Sequence, residues 1–309
     1  MPLHEDPFRG SRPVCRREFL QASAALGLAS LTSASSVLAA EPGGYQLGCY
    51  TRPWDAFDYR IGLDGIAAAG FKHCGLMTHK GKSWVLITVD STSEEVAVIA
   101  GEVKQRGLNT LSIYGGDFPV AKSVADGIAG LKRLVDHCVL CHCPHLMLGG
   151  TGDPKLVVPY YKVVAECCDY ALEKGVGLSI KPHGGQNATG VQCAQLIRQV
   201  GHKNFRLWYD PGNIYYYSDG KRDPVEDAAD VDGLVVGLSV KDFRPPKEVL
   251  VTPGTGRVDF GKVMARLRRG GFTWGPLIVE CLDRGDASQV TAEARKARRF
   301  LEEITGLSI

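Results

Sequence analysis

The sequence predicts an α/β protein, a (β/α)₈ TIM barrel preceded by a signal peptide, and three observations carry that prediction. Short apolar, β-like runs alternate with longer runs of helical period, eight times over, which is the pattern of a parallel sheet covered by helices. The turn after the first run is Arg52-Pro53-Trp54-Asp55, where a doubly wound open sheet would normally carry a G-x-G-x-x-G turn. The fifth to eighth strands each end in ionisable residues, as a barrel with its chemistry at the strand C-termini requires. The expected division is 1–40 signal peptide and 41–309 barrel domain.

Residues 16 to 21 read Arg-Arg-Glu-Phe-Leu-Gln and lead into an Ala- and Leu-rich stretch diluted by six Ser and Thr residues, with Val37-Leu38-Ala39 as small-residue cleavage site. That order of parts is a twin-arginine signal. It implies the twin-arginine translocase as a partner during export, cleavage after Ala39 or Ala40, and a periplasmic or secreted mature chain without a stable membrane span. Ten cysteines in an exported chain would ordinarily read as a disulfide framework. Substrates of this pathway fold before crossing, however, and so carry reduced thiols outward. Cys138, Cys141 and Cys143 have no second pair at zinc-finger spacing and read as packing residues.

The predicted strands run over 45–51, 71–77, 108–114, 145–148, 177–181, 205–210, 234–241 and 277–281. The helices between and after them are expected over 60–69, 93–106, 121–138, 156–174, 191–200, 224–230, 257–269 and 287–304. Glycines such as Gly107 and Gly201 follow the last periodic residue, where a helix wants a left-handed terminator. Lys+Arg 36 against Asp+Glu 34 leaves a formal charge of +2, too small a surplus for a protein that grips a phosphate backbone, so no nucleic-acid partner is expected.

Strand five finishes Ile180-Lys181-Pro182-His183, strand six Tyr209-Asp210-Pro211-Gly212-Asn213, strand seven Ser239-Val240-Lys241-Asp242 and strand eight Val279-Glu280-Cys281. A random apolar run does not end in an ionisable group four times in succession. Lys181, His183, Asp210, Lys241, Asp242 and Glu280 are therefore expected on one rim. Tyr50, Arg52 and Trp54 after strand one, His79 after strand two and Tyr114 after strand three offer flat faces and donors to a ring of hydroxyls, and Tyr215-Tyr216-Tyr217 a wall or lid on a loop.

These motifs resemble the xylose isomerase-like barrel family, which includes sugar epimerases, inosose dehydratase and the endonuclease IV group. The resemblance is carried by residues 65–71 leading into strand two, Asp210-Pro211-Gly212-Asn213, Val240-Lys241-Asp242, the turn over 254–260 and Ile278-Val279-Glu280. It implies a divalent metal (Mn, Mg or Zn) held by Glu, Asp, His and Glu at the ends of strands five to eight. Asp210 and Glu280 match the second and fourth positions. The first is Lys181 and the third Ser239, neither a good ligand.

Two readings of the centre follow. His183 joins Asp210 and Glu280 as metal ligands, or Lys181 serves as base or cationic stabiliser in the metal's place. Catalysis is assigned to Lys181, His183 and Glu280, and substrate binding to Trp54, His79, Tyr114, Asn213, Lys241 and Asp242. The resemblance implies a sugar isomerase or epimerase that moves a proton beside a carbonyl of a small carbohydrate, through an enediolate. The alternatives are a 3-keto-glycoside lyase of the same fold and a non-catalytic sugar-binding protein; the DNA-repair branch needs histidines and a basic surface that this chain lacks.

Replacing Arg16 and Arg17 together by lysine is expected to hold the chain inside the cell. Cell fractionation checks this, and unchanged export would remove the twin-arginine reading.

Overall fold

In a computed structural model of the chain, residues 44–307 are described; the signal-peptide reading of 1–40 lies outside them. Eight parallel strands close into a barrel in sequence order: β1 (Tyr45–Tyr50), β2 (His73–Leu76), β3 (Asn109–Tyr114), β4 (His145–Leu148), β5 (Gly177–Ile180), β6 (Phe205–Tyr209), β7 (Val235–Val240) and β8 (Gly275–Val279). Strand β8 pairs back onto β1, from Tyr45 opposite Gly275 to Cys49 opposite Val279, so neither edge of the sheet is left open. The predicted strands are all present, most of them a residue or two shorter.

The helices around the barrel are α1 (Tyr59–Ala68), α2 (Ser93–Gln105), α3 (Val124–Leu140), α4 (Val157–Glu173), α5 (Gly190–Val200), α6 (Pro211–Tyr217), α7 (Pro224–Asp227), α8 (Phe260–Arg269) and α9 (Ala287–Thr305). Their starts are written in the sequence. Thr92 with Glu95, Thr189 with Gln192 and Asp286 with Gln289 form reciprocal capping boxes that satisfy otherwise orphaned amides at the starts of α2, α5 and α9. At the other end of α5, Gly201 takes the left-handed conformation that closes the helix. Helix α6 stands where a loop was expected: Asp210 caps it, accepting from the Asn213 amide at 2.9 Å, with Pro211 at the first helical position. The three tyrosines are therefore helical rather than on a loop. The helix expected over 224–230 is α7 followed by a 3₁₀ turn over Ala228–Val231.

The apolar faces fall into two sets. One lies between the barrel and its helices; the other, inside the barrel, comprises Tyr50, Met77, Leu111, Met147, Trp208 and Ile278. Side chains alternate across a strand, so Met147 and Ser179, opposite each other, face inward, as do Ser239 and Ile278. One inward step further along β5 to β8 come Lys181, Asp210, Lys241 and Glu280. The backbone ladder runs on to carry them: the Lys181 amide donates to Leu148 at 3.3 Å and the Glu280 amide to Val240 at 3.1 Å. The described cysteines are all buried and free, Cys138, Cys141 and Cys143 among them, in keeping with a packing role. Among the described residues no helix is long and apolar enough to cross a membrane.

Two glycines make room for the largest interior rings. Gly75 stands opposite Tyr50, and Gly237 opposite Trp208. A Cβ would come within 2.1 Å of the Tyr50 ring at the first and 2.4 Å of the Trp208 ring at the second. Gly75→Ala or Gly237→Ala is expected to lower stability by about 1–3 kcal/mol through overpacking. Urea unfolding checks this; an undiminished midpoint would show that the rings can move aside.

Candidate active site

Four strands bring four charged side chains to a single point at the C-terminal mouth of the barrel. Lys181 Nζ lies 2.8 Å from Asp210 Oδ2 and 2.6 Å from Glu280 Oε2; Lys241 Nζ lies 3.3 Å from Asp210 Oδ2 and 2.6 Å from Glu280 Oε1. None of the four side chains is more than 4% exposed. Burial alone would push the Glu280 carboxyl upward, but Lys181, Lys241 and Arg52 outweigh it and hold it well below the usual carboxylate range. Burial likewise works against charge on Lys241, and Asp210 and Glu280 overturn it, raising its pKa. Asn213, in the first turn of α6, steadies the arrangement: its Oδ1 accepts from Lys241 Nζ at 3.1 Å, and its Nδ2 donates to the Pro182 carbonyl at 2.6 Å.

Above this floor stands His183, with its ring 6.3 Å from that of Tyr114 and 5.9 Å from that of Tyr217. It is exposed by surface area, yet the residues of the mouth crowd around it and enclose part of its ring. That enclosure, reinforced by Lys181 and Lys241, lowers its pKa and keeps the imidazole neutral. Burial pushes the Tyr114 phenol up to about 12. Trp84, 54% exposed, covers the Arg52 guanidinium 5.4 Å from its ring centroid. Sequence reasoning missed Trp84; its signal was a bulky aromatic in the polar, turn-forming run Lys80-Gly81-Lys82-Ser83.

Several expected site residues stand elsewhere. Trp54 is core: it is 1% exposed, packs against α1 and donates to the Ala287 carbonyl at 3.4 Å. Tyr50 is sealed inside the barrel with its hydroxyl on Ser112 at 3.0 Å. Asp242 is not free for substrate. Its carboxylate accepts from the amides of Phe243, Gly254, Gly256 and Val258 at 2.7–3.0 Å, which pins the turn after β7. His79 lines a groove of about 840 Å³ with Tyr59, Arg60, Val85, Leu86 and Asp117, and none of the four charged floor residues borders that groove. Ser239 is fully buried one inward position below Lys241.

The expected metal ligand set of His183, Asp210 and Glu280 needs correction as well. Among the described residues no three His, Cys, Asp or Glu side chains converge as a metal site would require. The space between Asp210 and Glu280 is taken by the two lysine ε-nitrogens, and an ammonium has no lone pair to donate. The residues present do not fit a divalent cation, and no step below passes through one.

The family described as xylose isomerase-like TIM barrel matches residues 63–304. A curated protein of Mycoplasma pneumoniae, named Probable L-ribulose-5-phosphate 3-epimerase, is 27% identical over 152 residues, 48% of each chain. The chain thus spans about half the length of that relative. A solved D-psicose 3-epimerase superposes with a TM-score of 0.67 at 15% identity, covering 85% of this chain and 100% of the other. D-allulose 3-epimerase from Methylomonas sp., in complex with D-allulose, gives 0.67 at 16% identity, with 85% and 98% covered. At these identities the likeness is one of fold.

The lowered Glu280 carboxyl stabilises the fold fully above the unfolded glutamate value of about 4.3, and that contribution is lost as pH falls toward its own lower value. Glu280→Gln is therefore expected to cost about 3–5 kcal/mol at pH 7, because it breaks a buried pair. The gap to the parent should narrow only below about pH 4. Urea melts across pH check this; equal stability at pH 7 would show the carboxylate to be unpaired.

Proposed function

This chain belongs to the xylose isomerase-like TIM barrel family, and from that premise we propose that it is a sugar isomerase or epimerase acting on a carbonyl-bearing small carbohydrate. The observation that carries the reading is the buried quartet of Lys181, Asp210, Lys241 and Glu280 at the strand ends, with a neutral imidazole standing over it. Such a site suits proton transfer beside a carbonyl. His183 takes the proton from the carbon next to the carbonyl; the C–H electron pair forms the carbon–carbon double bond, and the carbonyl π pair moves onto oxygen. That oxygen, the seat of the enediolate charge, lies against Lys181 and Lys241, where fixed positive charge in a water-poor site stabilises it most. The same negative charge is the counter-charge that the arriving imidazolium otherwise lacks, so His183 becomes a stronger base as the reaction advances. Return of the proton to the former carbonyl carbon, with the adjoining hydroxyl proton passing to the enediolate oxygen, gives the isomer; the epimer forms when water protonates the original carbon from the opposite face and His183 gives its proton up to solvent.

Tyr114, Tyr217 and the Trp84–Arg52 pair supply flat surfaces and donors for a hydroxylated ring. The twin-arginine segment supports action on sugars outside the cytoplasm.

Free sugars, sugar acids and 3-keto-glycosides incubated in D₂O should show deuterium uptake at the carbon beside the carbonyl by proton NMR. His183→Ala should slow that uptake by about 10²–10⁴-fold. Elimination products would move the assignment to a lyase; binding without exchange or turnover would leave a sugar-binding protein.

A further inference from the structure

The four contacts at the floor of the mouth reproduce, with nitrogen, the bridging that two carboxylates would give a divalent cation. Both oxygens of Glu280 are engaged, one by each lysine, and Asp210 Oδ2 faces both nitrogens. Lys241 Nζ donates to Asn213 Oδ1 and forms ion pairs with Glu280 and Asp210, so it is surrounded on three sides. Lys181 Nζ donates to Glu280 Oε2 at 2.6 Å and stands 2.8 Å from Asp210 Oδ2 as an ion pair without a hydrogen bond to it, which leaves it N–H capacity for a substrate oxygen. Neither lysine is a surface residue folded inward by chance. Each continues the inward-facing row of its strand, one step beyond Ser179 and Ser239, and each is buried at the floor of the mouth.

We propose that Lys181 and Lys241 together replace a divalent metal in this barrel, a covalently attached dication that neutralises Asp210 and Glu280 and presents an N–H, in place of a Lewis-acid orbital, to the substrate oxygen. The inference rests on the proton-transfer reading for its chemistry but not for its structural content, since the occupancy of the two carboxylates is measurable without any substrate. A metal entering this site would have to expel two ammonium groups from carboxylates 2.6–3.3 Å away and leave them buried without counter-charge. The substitution also fixes the local charge: chelators cannot remove it, and scarcity of metal cannot lower it.

The test titrates the purified chain with Mn²⁺ and follows free Mn²⁺ by electron paramagnetic resonance, alongside Lys181→Glu and Lys181→Met, with circular dichroism to confirm folding. The wild type is expected to leave Mn²⁺ free. Lys181→Glu, which adds a carboxylate where the ammonium stood, is expected to bind about one ion per chain; Lys181→Met removes the charge without adding a ligand and should bind none. Stoichiometric tight binding by the wild type overturns the proposal, and this measurement decides it even if Lys181→Glu fails to fold. Where a substrate is in hand, deuterium exchange by the wild type should be the same with chelator as with added Mn²⁺, and Lys181→Met should lose about 10²–10³-fold. Exchange that stops with chelator and returns with metal overturns the proposal while leaving the isomerase reading intact. Failure of every sugar to exchange removes that reading and leaves the Mn²⁺ result standing.

Discussion

Charge taken out of water must find its counter-charge within a few ångströms, and at the top of this barrel Lys181, Lys241, Asp210 and Glu280 supply it to one another. The desolvation cost of four such groups is severe, and it is offset only when each lies against an opposite partner in good geometry. Because every member comes from a different strand, the arrangement depends on the register of β5 to β8 together. A slip of one residue in any of them would turn its charged group toward the apolar layer under the helices. Closure of the barrel and the charge balance of these four residues are in this sense one condition.

The same dependence explains what could be read from the sequence. Strand ends were legible because apolar runs stopping at Lys181, Asp210, Lys241 and Glu280 mark the plane at which the interior turns polar. The helix starts were legible because capping needs particular side chains at fixed offsets. Pairing was not: no spacing rule says that Lys241 turns toward Glu280 instead of toward a substrate, or that the lysine of β5 and that of β7 share both carboxylates. That information lies in the stagger of neighbouring strands, which a one-dimensional reading lacks.

The misplaced residues share a cause. Trp54, Tyr50 and Asp242 all lie within four residues of a strand end and were read by position alone. Trp54 closes a 3₁₀ turn that swings it outward beneath α1, Tyr50 is one inward step too deep, and Asp242 alternates away from Lys241 and meets the backbone of the 254–258 turn. Next to a strand end, a single residue separates the mouth from the helical layer. Trp84, by contrast, lies in a loop whose path no periodicity describes, and an exposed aromatic was the only clue.

The cysteines give the fold a property unrelated to its chemistry. The nine described are buried and unpaired, and burial raises thiols such as Cys74, pushed up to about 12, and Cys193, so that little of the reactive thiolate forms. The folded barrel is accordingly indifferent to the redox poise of its surroundings. Among the described residues, an oxidant would find its targets once the barrel unfolds, where nine thiols scattered from Cys49 to Cys281 could cross-link with one another. Burial rather than a covalent staple protects the described thiols: once the barrel has closed, their sulfur chemistry is out of reach.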